Sequence, residues 1–388
     1  MMSVLHGFLS VVLWGSALRY LYWLSGLLKP VQNRSHTSAE PMHGVLSVLV
    51  PVHNEALHLP RLMEDLAQQK TSGFASLEFW LIDDHSTDGS ADKIRERSAQ
   101  DNRFRYILSE GRGKKAALET GLRCAQGHWI VTTDADVGLP PHWLNALLAP
   151  PWGVEVVRLG PVWPRSNGRF PQTFFALEQF SMVLAMVRSA EQGHTGLSSG
   201  ANLAVLRSFR QALPTDALQP ELASGDDVFL VEAARLRNGA GAVRMMPQAG
   251  VFTEVPAGWS EWVEQRIRWG SKARYYAPGP LKRMAWTVWM GSLACVALPV
   301  WVGVWGWAYW IVKAGMEAIV LLQGAKQMHP DRGETRSWRV ALPFAVVFQP
   351  VAIVVLGLWG LMPQKSFSEN RSRSGFGRAA DQNAAPRQ

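Results

Sequence analysis

Apolar and polar positions divide this chain into three unlike regions. Val4–Leu28 is nearly unbroken apolar sequence, and Met284–Val312 and Ala341–Met362 repeat that character near the other end. Runs of this length suffice to cross about 30 Å of hydrocarbon. Lys313–Leu322 is apolar apart from Lys313 and Glu317 and too short to span alone; it is either an amphipathic interfacial helix or the extension of a tight pair of spans beginning at Met284. From about Met42 to Ala277 the pattern changes. Short β-branched or apolar runs at Val45–Val50, Leu77–Ile82, Phe104–Leu108 and Trp129–Thr133 predict strands. Helical patterns at Leu59–Gln68, Ser90–Ala99 and Lys114–Ala125 separate them. Such alternation implies βαβ units and a largely parallel sheet. The layout is an anchor at 1–28, an α/β domain at 42–277, a membrane region of two or three helices at 284–362, and a basic tail at 363–388.

Composition sharpens this. Of 388 residues only 18% are charged, against 47% apolar, and a soluble domain usually carries about 25% charged residues. Mean hydropathy near zero is therefore an average over apolar ends and an ordinary soluble middle. Two cysteines, Cys124 and Cys295, exclude a disulfide-built secreted scaffold. The net charge of +8 raises the possibility of nucleic acid. The basic residues are scattered or flank apolar runs, however, so anionic lipid headgroups are the simpler partner and nucleic acid is not expected.

The first apolar run carries one flaw, Arg19, placed where it can snorkel toward an interface. Tyr20, Tyr22 and Trp23 follow it like an aromatic belt. No positive stretch precedes the run, which argues for a retained anchor over a cleaved signal. Lys29 and Arg34 follow it and place the next region in the cytoplasm by the positive-inside rule. The expectation is a multi-pass cell-membrane protein, in a bacterium of the inner membrane, with residues 42–277 cytoplasmic. The side of the C-terminus stays open. The tail after Pro363, rich in Ser, Arg, Asn and Gly, reads as disordered.

In an α/β sheet, ligands sit beyond the carboxyl ends of the strands, and here each strand delivers polar residues to that edge. Asn54 and Glu55 follow the first. Asp83 and Asp84 open the string DDHSTDGS after the second; Asp88 or Ser90 there serves as a helix cap and Gly89 as a turn, but two adjacent carboxylates exceed what one cap requires. Gly111, Gly113 and Lys114 form the loop GRGKKAAL at a helix start, suited to a phosphate though not spaced as a Walker A loop. Asp134 and Asp136 follow the fourth strand, and oxygen ligands at i and i+2 suit Mg²⁺ or Mn²⁺. His53, His85 and His194 are too far apart for zinc and are taken as turn or packing residues. Asp226 and Asp227 precede an apolar helix, where they either complement its dipole or supply a general base. Gln265, Arg268 and Trp269 stand in EQRIRWGSK, with Gln265 and Arg268 on one helix face: a phosphate clamp beside an aromatic platform.

In order, SVLVPVHNE, DDHSTDGS, GRGKKAAL, the DAD at Asp134–Asp136, GDD at Gly225–Asp227 and QRIRW at Gln265–Trp269 resemble the family 2 inverting glycosyltransferases of the GT-A fold, over about residues 42–277. The resemblance implies a GT-A nucleotide-sugar-binding domain flanked by transmembrane helices. It implies that Asp84 or Asp83, with Glu55 and Lys114, contacts a nucleotide-sugar, a UDP-sugar foremost, and that Asp134 and Asp136 form the cation site, with Asp136 the direct ligand. It assigns the base to Asp227, with Asp226 the alternative since Gly225-Asp226 replaces the usual Thr-Glu, and puts Gln265, Arg268 and Trp269 beside the diphosphate and acceptor. The inventory fits an inverting transfer, which needs one base and charge stabilisation on the leaving diphosphate but no protein nucleophile. The expected activity is transfer of a sugar to a lipid or lipid-linked acceptor. A processive polysaccharide synthase is the alternative, and a non-catalytic membrane scaffold a lesser one.

Overall fold

The computed structural model describes residues 2–29, 44–70, 74–150, 153–193, 196–219, 222 and 225–361. Arg34, His194, Met362, the domain start at 42–43 and the tail lie outside the described residues. After helix α1 (Met2–Leu27) the chain alternates as its pattern predicts: β1 (Val45–Val52), α2 (Leu59–Ala67), β2 (Ser76–Asp83), α3 (Ser90–Gln100), β3 (Phe104–Leu108), α4 (Lys114–Cys124) and β4 (Trp129–Thr132). β1 runs two residues beyond the expected Val50, through Pro51. The Leu49 carbonyl accepts from Thr133 N–H on the β4 side. Pro51, two residues on, turns its missing N–H to that same side, where pairing with β4 has already ended.

The second half is less regular: α5 (Trp143–Leu147), β5 (Val157–Leu159), β6 (Val162–Arg165), α6 (Gln172–Glu191), β7 (Leu203–Leu206), α7 (Arg207–Gln211), α8 (Asp226–Asn238), β8 (Val243–Met245), β9 (Val251–Glu254) and α9 (Trp259–Gly270). The central sheet has the order β3-β2-β1-β4-β7-β5-β8. Its first four strands are parallel, as expected, while β7 runs antiparallel to both neighbours and makes the whole sheet mixed. Both faces are covered. Leu46, Val48, Val50 and Val52 of β1 enter the core under α2 and α5, while Leu49 enters the opposite core with α4 and α8. This explains why β1 reads as a continuous apolar run. β6 and β9 form a separate parallel pair.

Three long helices follow: α10 (Pro280–Val302), α11 (Val304–Met328) and α12 (Arg332–Leu361). The apolar run Met284–Val312 is not one helix. Gly303, at φ 57°, breaks it into a hairpin. The close return needs Gly306 as well, since a Cβ there would lie 2.2 Å from the Leu298 carbonyl. Lys313 and Glu317 then fall inside α11, a helix of 25 residues, so the segment does not stand alone. α1 lies along α10, with Tyr20 packed on Gly291. Arg19 does not snorkel; its Nε donates to Thr287 Oγ1 of α10 at 2.9 Å. Tyr20 donates to Glu317 at 2.6 Å and Lys313 pairs with Glu317 at 2.7 Å. Among the described residues two helices are long and apolar enough to cross a membrane, Pro280–Val302 and Gly333–Gly360.

Candidate active site

The loops after β1 and β2 are laced into one platform. Asn54, in left-handed backbone at φ 56°, accepts from Thr87 N–H at 2.8 Å. Ser86 Oγ receives Asn54 N–H, Ser90 Oγ receives Glu55 N–H, and Asp88 receives Ala56 N–H. Asp88 also holds Ser90 N–H at 3.0 Å and is a turn residue ahead of α3, whose N-cap position is Gly89. His53 and His85 are turn residues as well, touching the carbonyls of Asp84 and Gly111.

The paired acids after β2 separate. Asp83 is buried and accepts from Ser86 N–H at 2.9 Å, closing its own turn. Asp84 points outward, and both its oxygens receive Gly113 N–H, at 2.9 and 2.8 Å. This corrects the picture of an open phosphate cradle: one of the loop's N–H groups is already taken by a carboxylate.

Lys114, first residue of α4, reaches across to Asp134 at 2.5 Å. Burial works against its charge, but Asp134, Asp226 and Asp227 outweigh that and pull its pKa up. Gly200 makes this convergence possible. A Cβ at that position would lie 3.5 Å from Lys114 Nζ, 3.8 Å from Asp227 Cβ and 3.9 Å from Asp226 Oδ2. Asp136 sits solvent-exposed at the rim of the same recess. Surrounding protein excludes enough water, and Asp134 and Glu55 add enough like charge, to push its carboxyl up to about 6. Glu55 itself contacts His58 at 2.6 Å.

Asp227, second residue of α8, is held from two sides: Gly200 N–H donates to Oδ2 at 3.0 Å and Val228 N–H to Oδ1 at 2.8 Å. Burial, then the neighbouring Asp226 charge, raises its pKa, against the pull of Lys272 and Lys114. Asp226 faces Lys114, Lys272 and Arg210.

Within QRIRW, the residue between the expected Gln265 and Arg268 takes a structural role of its own: Arg266. It is buried against Glu178 of α6, with Nε 2.9 Å from both carboxylate oxygens. Gln265 accepts from it, and its guanidinium lies 4.4 Å from the Trp269 ring. Gln265 and Trp269 thus both lie against the guanidinium that joins α9 to α6. Arg268 is half-buried, with its charge opposing that of Lys272. Removing one partner of a buried ion pair leaves the other unpaired. Arg266→Ala should therefore lower the melting temperature in detergent, at a cost of about 3–5 kcal/mol; an unchanged melting curve would refute the structural role.

Sequence reasoning missed Lys272, Tyr276, Gly200 and Arg210. Lys272 crosses the recess over Gly225, whose absent side chain leaves room: a Cβ there would sit 3.0 Å from Lys272 Cδ. Burial depresses the Lys272 pKa while Asp227 and Asp226 support its charge. The available signal was position, three residues beyond Trp269 on the same helical path. Tyr276 lies close enough for burial and Asp227 to raise its phenol pKa. Gly200 gave no signal. It matters only because of what the fold brings around it.

Strand order and the acid-bearing sheet edge define a GT-A-like α/β fold. Residues 47–150 match the family model described as glycosyl transferase family 2. The chain is 31% identical over 177 residues to an undecaprenyl-phosphate 4-deoxy-4-formamido-L-arabinose transferase of Proteus mirabilis, covering 45% of this chain and 51% of that one. It is 34% identical over 107 residues to a dolichol-phosphate mannosyltransferase of Mycosarcoma maydis, covering 26% and 36%. The chain thus spans about half the length, or less, of these curated relatives. Among solved structures it shares its fold with the mannosyltransferase PcManGT from Pyrobaculum calidifontis, in complex with GDP-Man and Mn²⁺: TM-score 0.55, 23% identity, 92% of this chain and 99% of that one.

Proposed function

We propose that this chain is an inverting glycosyltransferase that moves a sugar from a nucleoside-diphosphate sugar, a UDP-sugar foremost, onto a lipid-phosphate acceptor at the cytoplasmic membrane face. The observation that carries the reading is the convergence of Lys114, Asp134, Asp226 and Asp227 around Gly200, at the carboxyl ends of the parallel strands. Two helices of membrane-crossing length follow that domain, and the matched relatives named for undecaprenyl- and dolichol-phosphate support a lipid acceptor.

In this reading Asp227 is the base. Its carboxylate is fixed by two backbone N–H groups, and its raised pKa makes it a stronger proton acceptor than an ordinary aspartate. Lys114 and Lys272 supply positive charge facing the leaving diphosphate. Asp134 and Asp136, with Glu55 nearby, concentrate more negative charge than Lys114 neutralises, which suits Mg²⁺ or Mn²⁺. Among the described residues no group of three or more His, Cys, Asp or Glu forms a complete cage, so substrate oxygens and water would complete the shell. Such a cation, when bound, supplies charge stabilisation on the departing diphosphate.

The test is turnover of UDP- and GDP-sugars by detergent-purified protein with polyprenyl phosphate and membrane lipids, with products read by mass spectrometry. One added sugar per lipid, anomerically inverted, is expected. Release of free sugar with no lipid product would overturn the reading, and a ladder of added sugars would replace it with a processive synthase. Sidedness is a separate matter. An epitope inserted beside the exposed Ala99, at the end of α3, should be hidden in intact cells and reachable in inverted vesicles. Exposure on intact cells would remove access to cytoplasmic nucleotide-sugars.

A further inference from the structure

α12 has the length and composition of a membrane span, but its contacts are not those of one. Its first turn reaches the α/β domain: Glu334 accepts from Ser166 N–H at 3.1 Å and from Ser166 Oγ at 2.7 Å. Trp338 packs on Phe180 of α6, with ring centroids 4.9 Å apart, and Phe344 on Phe174 at 5.1 Å. Near its end, Gly360 presses on α9 so closely that a Cβ would lie 2.9 Å from the Gly270 carbonyl carbon. The helix thus stays on the α/β domain from its first turn, at Ser166, through α6 to its last turn on α9. α9 bears Glu261, Glu264, Arg266 and Arg268 and cannot follow α12 into hydrocarbon without a large penalty.

Its contacts with the α10–α11 hairpin agree. The domain end of that hairpin is marked by Leu281, packed where a Cβ on Gly196 would lie 2.7 Å from it. Gly357 of α12 meets Trp289, nine residues into α10, or about 14 Å along it. Thr335 and Trp338 line one small cavity with Leu321 and Ala325 of α11, three to seven residues from its end, or about 5–10 Å. The tip of the hairpin at Gly303 is about 33 Å from Leu281 along α10. Both ends of α12 therefore meet the domain-proximal half of the hairpin, at levels that differ by far less than the helix length.

We propose that α12 does not cross the bilayer but lies along its surface, one face on the α/β domain and the other in lipid. This rests on the reading that α10 and α11 are membrane-embedded. Ala341, Ala345 and Ala352 are buried toward the domain, and their small side chains permit close packing. Val347, Val351, Val355 and Leu358 form an exposed apolar stripe at three- and four-residue spacing on the other side, with Val340 seven residues before it. The occupant of that stripe is membrane lipid. Its apolar surface matches that of the exposed Trp286 and Val300 on α10, and exposed Arg336 and Arg339 at the head of α12 suit phosphate headgroups. The C-terminal end of α12 then lies on the same side as the α/β domain. The end of α9, which leads into Lys272, is held at the lipid surface.

Depth measurement decides the matter. Nitroxides are placed singly on Val340→Cys, Val347→Cys and Leu358→Cys in the full-length protein carrying Cys124→Ser and Cys295→Ala, reconstituted in phospholipid vesicles. Collision with oxygen and with a water-soluble nickel chelate then reports depth. Val340 and Leu358 are about 27 Å apart along the helix. Lipid exposure at one common depth is expected. A steady change in depth approaching that full distance overturns the proposal and leaves the membrane reading intact. Water exposure at all three sites, with none in lipid, overturns both.

Discussion

Asp227→Asn should abolish sugar transfer while leaving donor affinity nearly unchanged. The substitution keeps the volume and one acceptor oxygen, which can still meet Gly200 N–H, while the amide NH2 replaces the oxygen that met Val228 N–H and the proton acceptor is lost. A positioned general base contributes about 10²–10⁴-fold, so single-turnover transfer should fall by that order. Asp226→Asn should be the milder change, because Asp226 acts through charge on Lys114, Lys272 and Arg210. A pH profile gives an independent check. The base works deprotonated, and burial with the adjacent Asp226 raises its pKa. Wild-type transfer should therefore rise with pH along an acid limb lying above the ordinary aspartate range, and Asp227→Asn should lack that limb. If Asp226→Asn stops transfer and Asp227→Asn does not, the base is Asp226. If both lose donor binding together, the pair is a binding or folding element.

Excess chelator should stop wild-type turnover, and Asp136→Asn should reduce it by about 10²–10³-fold, the scale on which charge-stabilising groups act in transfer reactions. Asp136 is the sensitive position because it is exposed at the rim while crowded by Asp134 and Glu55. A divalent cation relieves that repulsion. Asp134 is already paired with Lys114 at 2.5 Å, so its loss should disturb the lysine as well as the cation. Mn²⁺ binding measured by electron paramagnetic resonance in the presence of nucleoside diphosphate should weaken in Asp136→Asn, with no turnover involved. Undiminished wild-type transfer in chelator would sink the cation hypothesis.

The alternation of strands and helices through β4 was legible in the sequence, because short apolar runs and 3.6-residue periodicity report local burial directly. The acids at Asp134, Asp136, Asp226 and Asp227 could be singled out too, but the sequence alone could not separate a dipole-complementing role at the helix start from a chemical one. What sequence could not decide was which of two neighbours faces what. Asp83 turns into its own loop and Asp84 outward, and Arg266 takes Glu178, because those choices depend on helix rotation and strand register set by distant partners. The antiparallel β7 and the recess around Gly200 are long-range as well: a glycine acquires meaning only from the side chains packed around it. Apolar content likewise fixed that α12 avoids water, but composition cannot distinguish a helix that crosses a bilayer from one lying along it. Packing against α6 and α9 is the observation on which the proposed surface placement rests, because charged domain helices held along α12 resist entry into hydrocarbon.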